Sequence, residues 1–187
     1  MLQSCRRQWI AEGREYSYDE LLDGAAGEAE LFGSLVDPDD PSFLSPANMV
    51  AAIDTFLGKT GQPLPKSVAG YTVAILVSLA FKYRAVLESL EQLTGRKFKA
   101  IRIIGGGAKN RLLNQFTANA TGREVIAGPV EATALGNLAM QMLAMGAVSS
   151  LAEARAVIER SFPVDRYAPE DTEIWDLEYV RFREYLG

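Results

Sequence analysis

The sequence predicts an α/β fold in which parallel strands form a layer flanked by helices. Between Ala100 and Met145 a short apolar strand (AIRII), a helix, a second strand (REVIA) and a second helix follow one another. Strands that alternate with helices usually lie parallel in one sheet. A long helical pattern precedes this segment, from about Lys66 to Leu93, and its middle is apolar on every side. We therefore expect that helix to be buried between layers.

Capping and breaking residues predict the remaining helices. The residues Ser17-Tyr18-Asp19-Glu20 match a capping box, which predicts a helix from Tyr18 to about Ala26. Ser45 and Pro46 are suited to the start of another helix, ending at Gly58. The chain opens as if already inside a helix, without an N-cap. The other helices are expected near 109–120, 131–145, 150–160 and 172–185.

Composition excludes several classes of protein. The 187 residues carry a net charge of -5, so no domain-wide basic balance favours nucleic acid or an anionic membrane surface. The longest dense apolar run, 74–81, is too short to span a bilayer. The single cysteine, Cys5, fits a reducing compartment, and we expect a cytoplasmic protein. The absence of histidine removes Ser-His-Asp and Cys-His catalysis and histidine zinc sites.

Three consecutive glycines, Gly105, Gly106 and Gly107, lie between the first strand and the next helix. Glycine allows a ligand to approach the backbone closely because it has no Cβ, and helix N-termini favour anions. A bound phosphate and a tight turn without a ligand both explain such a segment. Two familiar phosphate motifs are excluded. A P-loop needs Gly-Lys-Ser/Thr after the glycines, and the dinucleotide fingerprint needs a third glycine where Asn110 stands.

The helix expected at 131–145 carries small residues on one face. Ala132, Gly136 and Met140 recur every four residues, with Ala139 beside them. Close packing of this face on the sheet is the expected reason. Glu131 lies in the first turn, where the helix dipole favours a carboxylate. The acidic DPDD stretch, 37–40, lacks the glycine and downstream glutamate of a calcium loop and predicts turn hydrogen bonding.

The segment IRIIGGGAKNRLLNQFTANATGREVIAGPVEATALGN resembles the ATP-binding end of the FGGY carbohydrate kinases, and most closely their bacterial L-rhamnulokinase members. The upstream stretches LQSCRRQW, YSYDELL, DPDDPSFLSP and SLAFKYRAVLESLEQLTGR agree with that subfamily, so the resemblance covers nearly the whole chain. Three glycines alone are a weak signal, whereas GGGxxNxLLNQ followed by GREVxAGPVEATALGN is specific.

The resemblance implies a fold and a set of binding residues. Residues 1–187 would form part of the C-terminal, nucleotide-binding FGGY domain, with the actin-like (ribonuclease H-like) ATPase fold. Gly106, with Gly105 and Gly107, would lie against ATP. Asn110, placed one turn into the helix, would lie near the adenosine, and Gln3 matches a nucleotide-contacting glutamine. Mg²⁺ would accompany the nucleotide. The resemblance supplies no catalytic residue and no protein metal ligand within this chain.

The resemblance also implies what lies outside the chain. FGGY kinases are much longer, and the sugar pocket and the proton-accepting aspartate belong to the portion that would precede Met1. We therefore expect a fragment that is inactive alone and that self-associates through the surface which the missing portion would cover. It would bind its sugar only together with the N-terminal domain. L-Rhamnulose is the expected acceptor, with L-fuculose or xylulose as alternatives. A non-catalytic actin-like nucleotide-binding or interaction module is the alternative of a different class.

Overall fold

Helices dominate the part of the chain that the structure describes. The structure is a computed structural model and describes residues 1–28 and 30–186. Within them lie α1 (Leu2–Ala11), α2 (Tyr18–Ala26), α3 (Met49–Lys59), α4 (Val68–Thr94), β1 (Ala100–Ile103), α5 (Arg111–Thr121), β2 (Glu124–Ala127), α6 (Ala132–Ala144), α7 (Leu151–Ser161), β3 (Asp165–Tyr167) and α8 (Thr172–Arg183). None of the described helices is long and apolar enough to cross a membrane.

The long helix α4 is the centre of the hydrophobic core, as its apolar middle predicts. The side chain of Ser67 accepts a hydrogen bond from the Gly70 N–H at its start, and Gly95 ends it in the left-handed conformation. Phe81 is fully buried, and its ring lies 5.4 Å from both Trp175 and Phe182 of α8. Further α4 residues are buried around it: Val73, Ala74, Ile75, Leu76, Val77 and Ala80.

An arginine of α4 connects three helices. Arg84 donates hydrogen bonds to the Ala120 carbonyl in the last turn of α5, at 3.0 Å, and to Asp176 of α8, at 2.5 Å. Its guanidinium also lies 4.1 Å from the centre of the Tyr179 ring. A cation near a helix C-terminus is stabilised by the helix dipole. These contacts keep α5, which carries the candidate site at its start, in place against α4 and α8.

The three strands form one sheet in the order β1-β2-β3. Strands β1 and β2 are parallel, with Ile101 opposite Val125, which confirms the predicted parallel layer. Strand β3 pairs antiparallel with β2, and the sequence analysis did not predict it. Its three residues are mostly exposed and show no apolar alternation. Among residues 1–28 and 30–186, no strand pairs with the outer edge of β1.

The capping box of α2 is confirmed, whereas the predicted start of α3 is wrong. The Ser17 side chain accepts from the Glu20 N–H and the Glu20 carboxylate accepts from the Ser17 N–H. Helix α3 begins at Met49, not near Pro46, because Asn48 rather than Ser45 caps it: Asn48 Oδ1 accepts from the Ala51 N–H at 2.8 Å. An Asn caps as well as a Ser, so local sequence does not separate the two.

The DPDD stretch forms turns, as expected, and also makes an ion pair that the sequence did not indicate. Asp37 Oδ1 accepts from the Asp39 N–H, and Asp40 Oδ1 accepts from the Ser42 N–H. Lys82 of α4 lies 2.8 Å from Asp37 and 3.1 Å from Asp39. The loop is therefore joined to the central helix.

The expected packing of the small-residue face of α6 on the sheet is wrong. Ala139 is buried, but Gly136 and Met140 are exposed, and a Cβ added at Gly136 would meet nothing within 4 Å. Helix α6 instead packs against α7, with Ala139, Val148 and Ala154 forming a small core of their own. Glu131 is the exposed residue just before α6, and its side chain makes no capping hydrogen bond.

Candidate functional site

The glycines form a short 3₁₀ turn, Gly105–Lys109, between β1 and α5, which we call the glycine turn. Gly105 adopts a φ of 72°, a conformation that side chains disfavour, so the chain's own geometry explains this glycine. A Cβ added at Gly107 would lie 3.4 Å from the Ile103 side chain, at the limit of ordinary van der Waals contact. Gly106 and Gly107 are exposed.

Gly106 has no such internal reason to be glycine. Its φ is not positive, and a Cβ added there would meet no atom within 4 Å. The folded chain would therefore accept a side chain at this position. Gly58 and Gly136 share these properties, so the missing Cβ at Gly106 leaves room for a ligand without by itself indicating one.

The glycine turn is held by the loop between β2 and α6. The Gly105 N–H donates to the Pro129 carbonyl at 3.3 Å, and the Gly128 N–H donates to the Ile103 carbonyl at 2.7 Å. Gly128 has a φ of 116°, and the Gly128–Pro129 peptide is cis. The structure thus brings together the two sequence segments, GGG and GPVEATALGN, that the sequence analysis singled out. Pro129 as a partner of the turn had no signal in the sequence.

Asn110 lies at the start of α5, not one turn into the helix as predicted. The glycine turn extends to Lys109, the expected first residue of the helix, and α5 begins only at Arg111. Asn110 is its N-cap: Oδ1 accepts from the Leu113 N–H at 3.0 Å. The oxygen of this amide is thereby used within the chain. Only its two N–H groups would be suited to donate to a ligand.

An open groove of about 710 Å³ adjoins the end of the glycine turn. It lies between α2 and the first turn of α5, and its volume falls in the range of small-molecule sites. The wall is apolar at Leu22, Ala26 and Leu112, and charged at Asp19, Asp23, Lys109 and Arg111. The lining surface is thus more polar than apolar, with two carboxylates and two cations among its residues. Such a surface offers charged groups to a polar ligand and three apolar side chains to a less polar part of it.

Gln3 is on the exposed side of α1, away from the buried residues Leu2, Cys5 and Trp9. Helix α1 packs mainly against α3. No hydrogen bond joins Gln3 to the glycine turn within residues 1–28 and 30–186. The structure leaves its side chain accessible but does not bring it into contact with the other predicted residues.

One buried residue at the glycine turn was missed by sequence reasoning. Asn114 is fully buried, and its Nδ2 donates to the Ala108 carbonyl at 3.0 Å. A polar residue between the apolar positions Leu113 and Phe116 was the only available signal.

The site offers no protein ligands that can be assigned to Mg²⁺. In the part of the chain that the structure describes, no three Asp, Glu or Cys side chains gather in a way that could hold a metal ion. The glycine turn supplies backbone groups and no carboxylate of its own.

Comparison with known proteins identifies the family. The pattern of the FGGY family of carbohydrate kinases, C-terminal domain, matches residues 1–145. The chain is 43% identical to a rhamnulokinase of Bacteroides thetaiotaomicron over 98% of its own length and 37% of that protein. It is 39% identical to a rhamnulokinase of Halalkalibacterium halodurans over 92% of its length and 36% of that protein. The chain therefore spans a little over a third of these relatives.

Solved structures show the same fold. A xylulose kinase from Rhodospirillum rubrum matches 98% of the chain with a TM-score of 0.66 at 20% identity. A Plasmodium falciparum glycerol kinase with ADP matches 98% with a TM-score of 0.67 at 18% identity. The chain covers 36% of each of these structures. The fold is that of the C-terminal domain of these actin-like ATPases. The chain belongs to the FGGY family of carbohydrate kinases and is rhamnulokinase-like.

Proposed function

We propose that this chain is the nucleotide-binding C-terminal part of an ATP-dependent sugar kinase. In the complete enzyme, the γ-phosphate of ATP would be transferred to L-rhamnulose, giving L-rhamnulose 1-phosphate. Gly106 carries the nucleotide part of the proposal, because it is exposed, leaves room for a ligand and lies in the GGGxxNxLLNQ segment that resembles the ATP-binding end of the FGGY kinases. The choice of sugar is supported by the 36–44% identity to rhamnulokinases.

In this proposal the nucleotide lies along the glycine turn, with Gly106 against the phosphates and Gly105 and Gly107 shaping the backbone around it. The Asn110 amide N–H groups and Gln3 are proposed to donate to the nucleoside. The base is proposed to lie in the neighbouring groove, against Leu22 and Leu112. ATP is held through backbone groups and not through a lysine cradle, and Mg²⁺ is expected to bind with the phosphates.

The remaining parts of the reaction are assigned outside this chain. Phosphoryl transfer depends on holding the acceptor in line with the γ-phosphate and on stabilising the charge that develops. We assign the sugar contacts and the proton-accepting aspartate to the portion of the relatives' length that the chain does not match. One wall of a cleft leaves the nucleotide open to water, which weakens electrostatic contacts. The chain alone is therefore expected to bind nucleotide weakly and to show no kinase activity.

A surface next to β1 is suited to a polypeptide partner. The outer edge of β1 has no strand partner within the described residues, and Tyr83, the first residue of an exposed apolar stripe on α4, lines a pocket together with residues of β1. The stripe follows helical spacing and consists of Tyr83, Val86, Leu90 and Leu93, which are 40%, 49%, 45% and 85% exposed. We propose that this surface is covered in the complete kinase and that it causes the chain alone to self-associate.

The proposal is tested by calorimetric titration of the chain with ATP and ADP in the presence of Mg²⁺. Gly106→Val should fold as the parent does and weaken binding about tenfold or more, equivalent to about 1.4 kcal/mol. Gly58→Val is the matched control, because Gly58 is also exposed, lies outside the positive-φ region and has nothing within 4 Å of an added Cβ. This control should bind as the parent does.

Equal binding by Gly106→Val and the parent would refute the placement of the nucleotide, and no binding by the parent would refute nucleotide binding by this chain. The expected inactivity is tested separately, in a steady-state assay with L-rhamnulose and ATP. Turnover by the chain alone would contradict the assignment of the sugar contacts and the aspartate to another part of the protein.

A further inference from the structure

Asn114 connects the body of α5 to the glycine turn. It lies in the second turn of the helix and is fully buried. Its Nδ2 donates to the carbonyl of Ala108 at 3.0 Å, and Ala108 is the buried residue of the glycine turn. The Ala108 carbonyl is thereby directed towards the interior of the protein.

The other half of the Asn114 amide is unsatisfied. Its Oδ1 is buried and has no hydrogen-bond partner among the residues that the structure describes. A buried acceptor without a donor costs the hydration that it has lost. Leucine has nearly the same shape and would remove that cost, yet it could not donate to Ala108. An unsatisfied buried group in a folded protein calls for an explanation, and here the donor half of the same amide supplies one.

The two ends of the glycine turn are therefore anchored while its middle is open. Gly105 is held by the Pro129 carbonyl, at 3.3 Å, and Ala108 by Asn114, at 3.0 Å. Gly106 lies between them, exposed, with no atom within 4 Å of an added Cβ. A preformed turn of this kind spares a ligand the cost of ordering the backbone that binds it.

We propose that Asn114 is a positioning residue for the nucleotide, and this rests on the proposed function. By holding the Ala108 carbonyl inward, Asn114 keeps a partial negative charge away from the surface on which phosphates approach. It also keeps the turn in the single conformation in which Gly106 faces outward. Asn114 itself does not touch the ligand. The unsatisfied Oδ1 is the stability cost of this arrangement.

The test combines stability, amide exchange and binding in Asn114→Leu. We expect a midpoint of urea unfolding close to that of the parent, because leucine removes the unsatisfied Oδ1 but leaves the Ala108 carbonyl without its donor. We also expect faster hydrogen exchange at the amides of residues 107–109 and a roughly tenfold loss of ADP affinity. Should the leucine variant fail to fold, Asn114→Ser is measured in its place, because the serine hydroxyl is too short to reach Ala108.

Asn119→Leu is the matched control on the same helix. Its Oδ1 accepts from Gln115 at 2.7 Å and from the Glu170 N–H at 3.0 Å, so leucine there should lower stability and leave exchange in the glycine turn unchanged. A double variant with Gly106→Ala adds a second criterion, because residues acting through one turn give non-additive losses of affinity.

The outcomes separate the two proposals. Asn114→Leu with the parent's turn exchange and the parent's ADP affinity would overturn the positioning role while leaving the nucleotide site intact. Additive losses in the double variant would also overturn it, because they would mean that Asn114 acts independently of the turn. A parent protein that binds no ADP would overturn the proposed function and with it a role for Asn114 in nucleotide binding.

Discussion

The packing of Phe81 between α4 and α8 predicts that shortening its side chain lowers the free energy of unfolding. This ring is fully buried, and four aromatic rings lie between 5.4 and 6.2 Å from it: Phe32, Trp175, Tyr179 and Phe182. Truncation to alanine would cost about 3–5 kcal/mol, a large part of the ~5–15 kcal/mol that stabilises a typical domain. Phe81→Leu keeps most of the volume and is the variant that can be measured.

For Phe81→Leu we expect a loss of about 1–2 kcal/mol, since the leucine fills the site incompletely and the edge contacts between rings are lost. In a chain of this size each kcal/mol lowers the melting temperature by about 2–4 °C, so a decrease of roughly 2–8 °C should be seen by circular dichroism. Phe98→Leu is the control, because Phe98 is 37% exposed and should change stability by less than about 0.5 kcal/mol. Equal losses in the two variants would refute the placement of the Phe81 ring in the core between α4 and α8.

Three further predictions concern the thiol, a carboxylate and the exposed stripe. Burial raises the pKa of Cys5 to about 11, so labelling by a thiol reagent should be slow and should accelerate only on unfolding. Rapid labelling of the native chain would contradict the burial of Cys5 in the core. The Lys97 ammonium, 2.5 Å away, and the Phe98 N–H lower the pKa of Glu91 below its ordinary value near 4.5. The unfolded chain takes up that proton first as the pH falls, so stability should decrease as the pH falls through the folded-state pKa and Glu91→Gln should show a flatter profile; parallel profiles would refute this. Sedimentation should show self-association that Val86→Lys weakens and Leu177→Lys, on the exposed side of α8, does not, whereas a monodisperse monomer at high concentration would argue against it.

Local rules predicted most of the helices and the parallel pair of strands. The capping box at Ser17 and the apolar middle of α4 depend on residues a few positions apart, so sequence alone is sufficient for them. Features that depend on distant partners were missed. Strand β3 exists because β2 offers it an edge, and its own three residues carry no alternating pattern.

The candidate site was located by sequence but its construction was not. The glycines marked the place, and the resemblance to the FGGY kinases supplied the nucleotide as the expected ligand. Three contacts depend on the conformation of the glycine turn: the capping of α5 by Asn110, the hydrogen bond from Gly105 to Pro129 and the hydrogen bond from Asn114 to Ala108. None of these could be inferred from spacing along the chain, because a 3₁₀ turn and a first helical turn place the same residues in different positions.

The most direct test of nucleotide binding at the glycine turn is a titration of the ¹⁵N-labelled chain with ADP and Mg²⁺, followed through the backbone amide shifts. We expect the largest changes at Gly105, Gly106 and Gly107, with smaller changes at Asn110 and Gln3 and none at Gly58. Changes confined to another surface, or no changes at millimolar ADP, would contradict it.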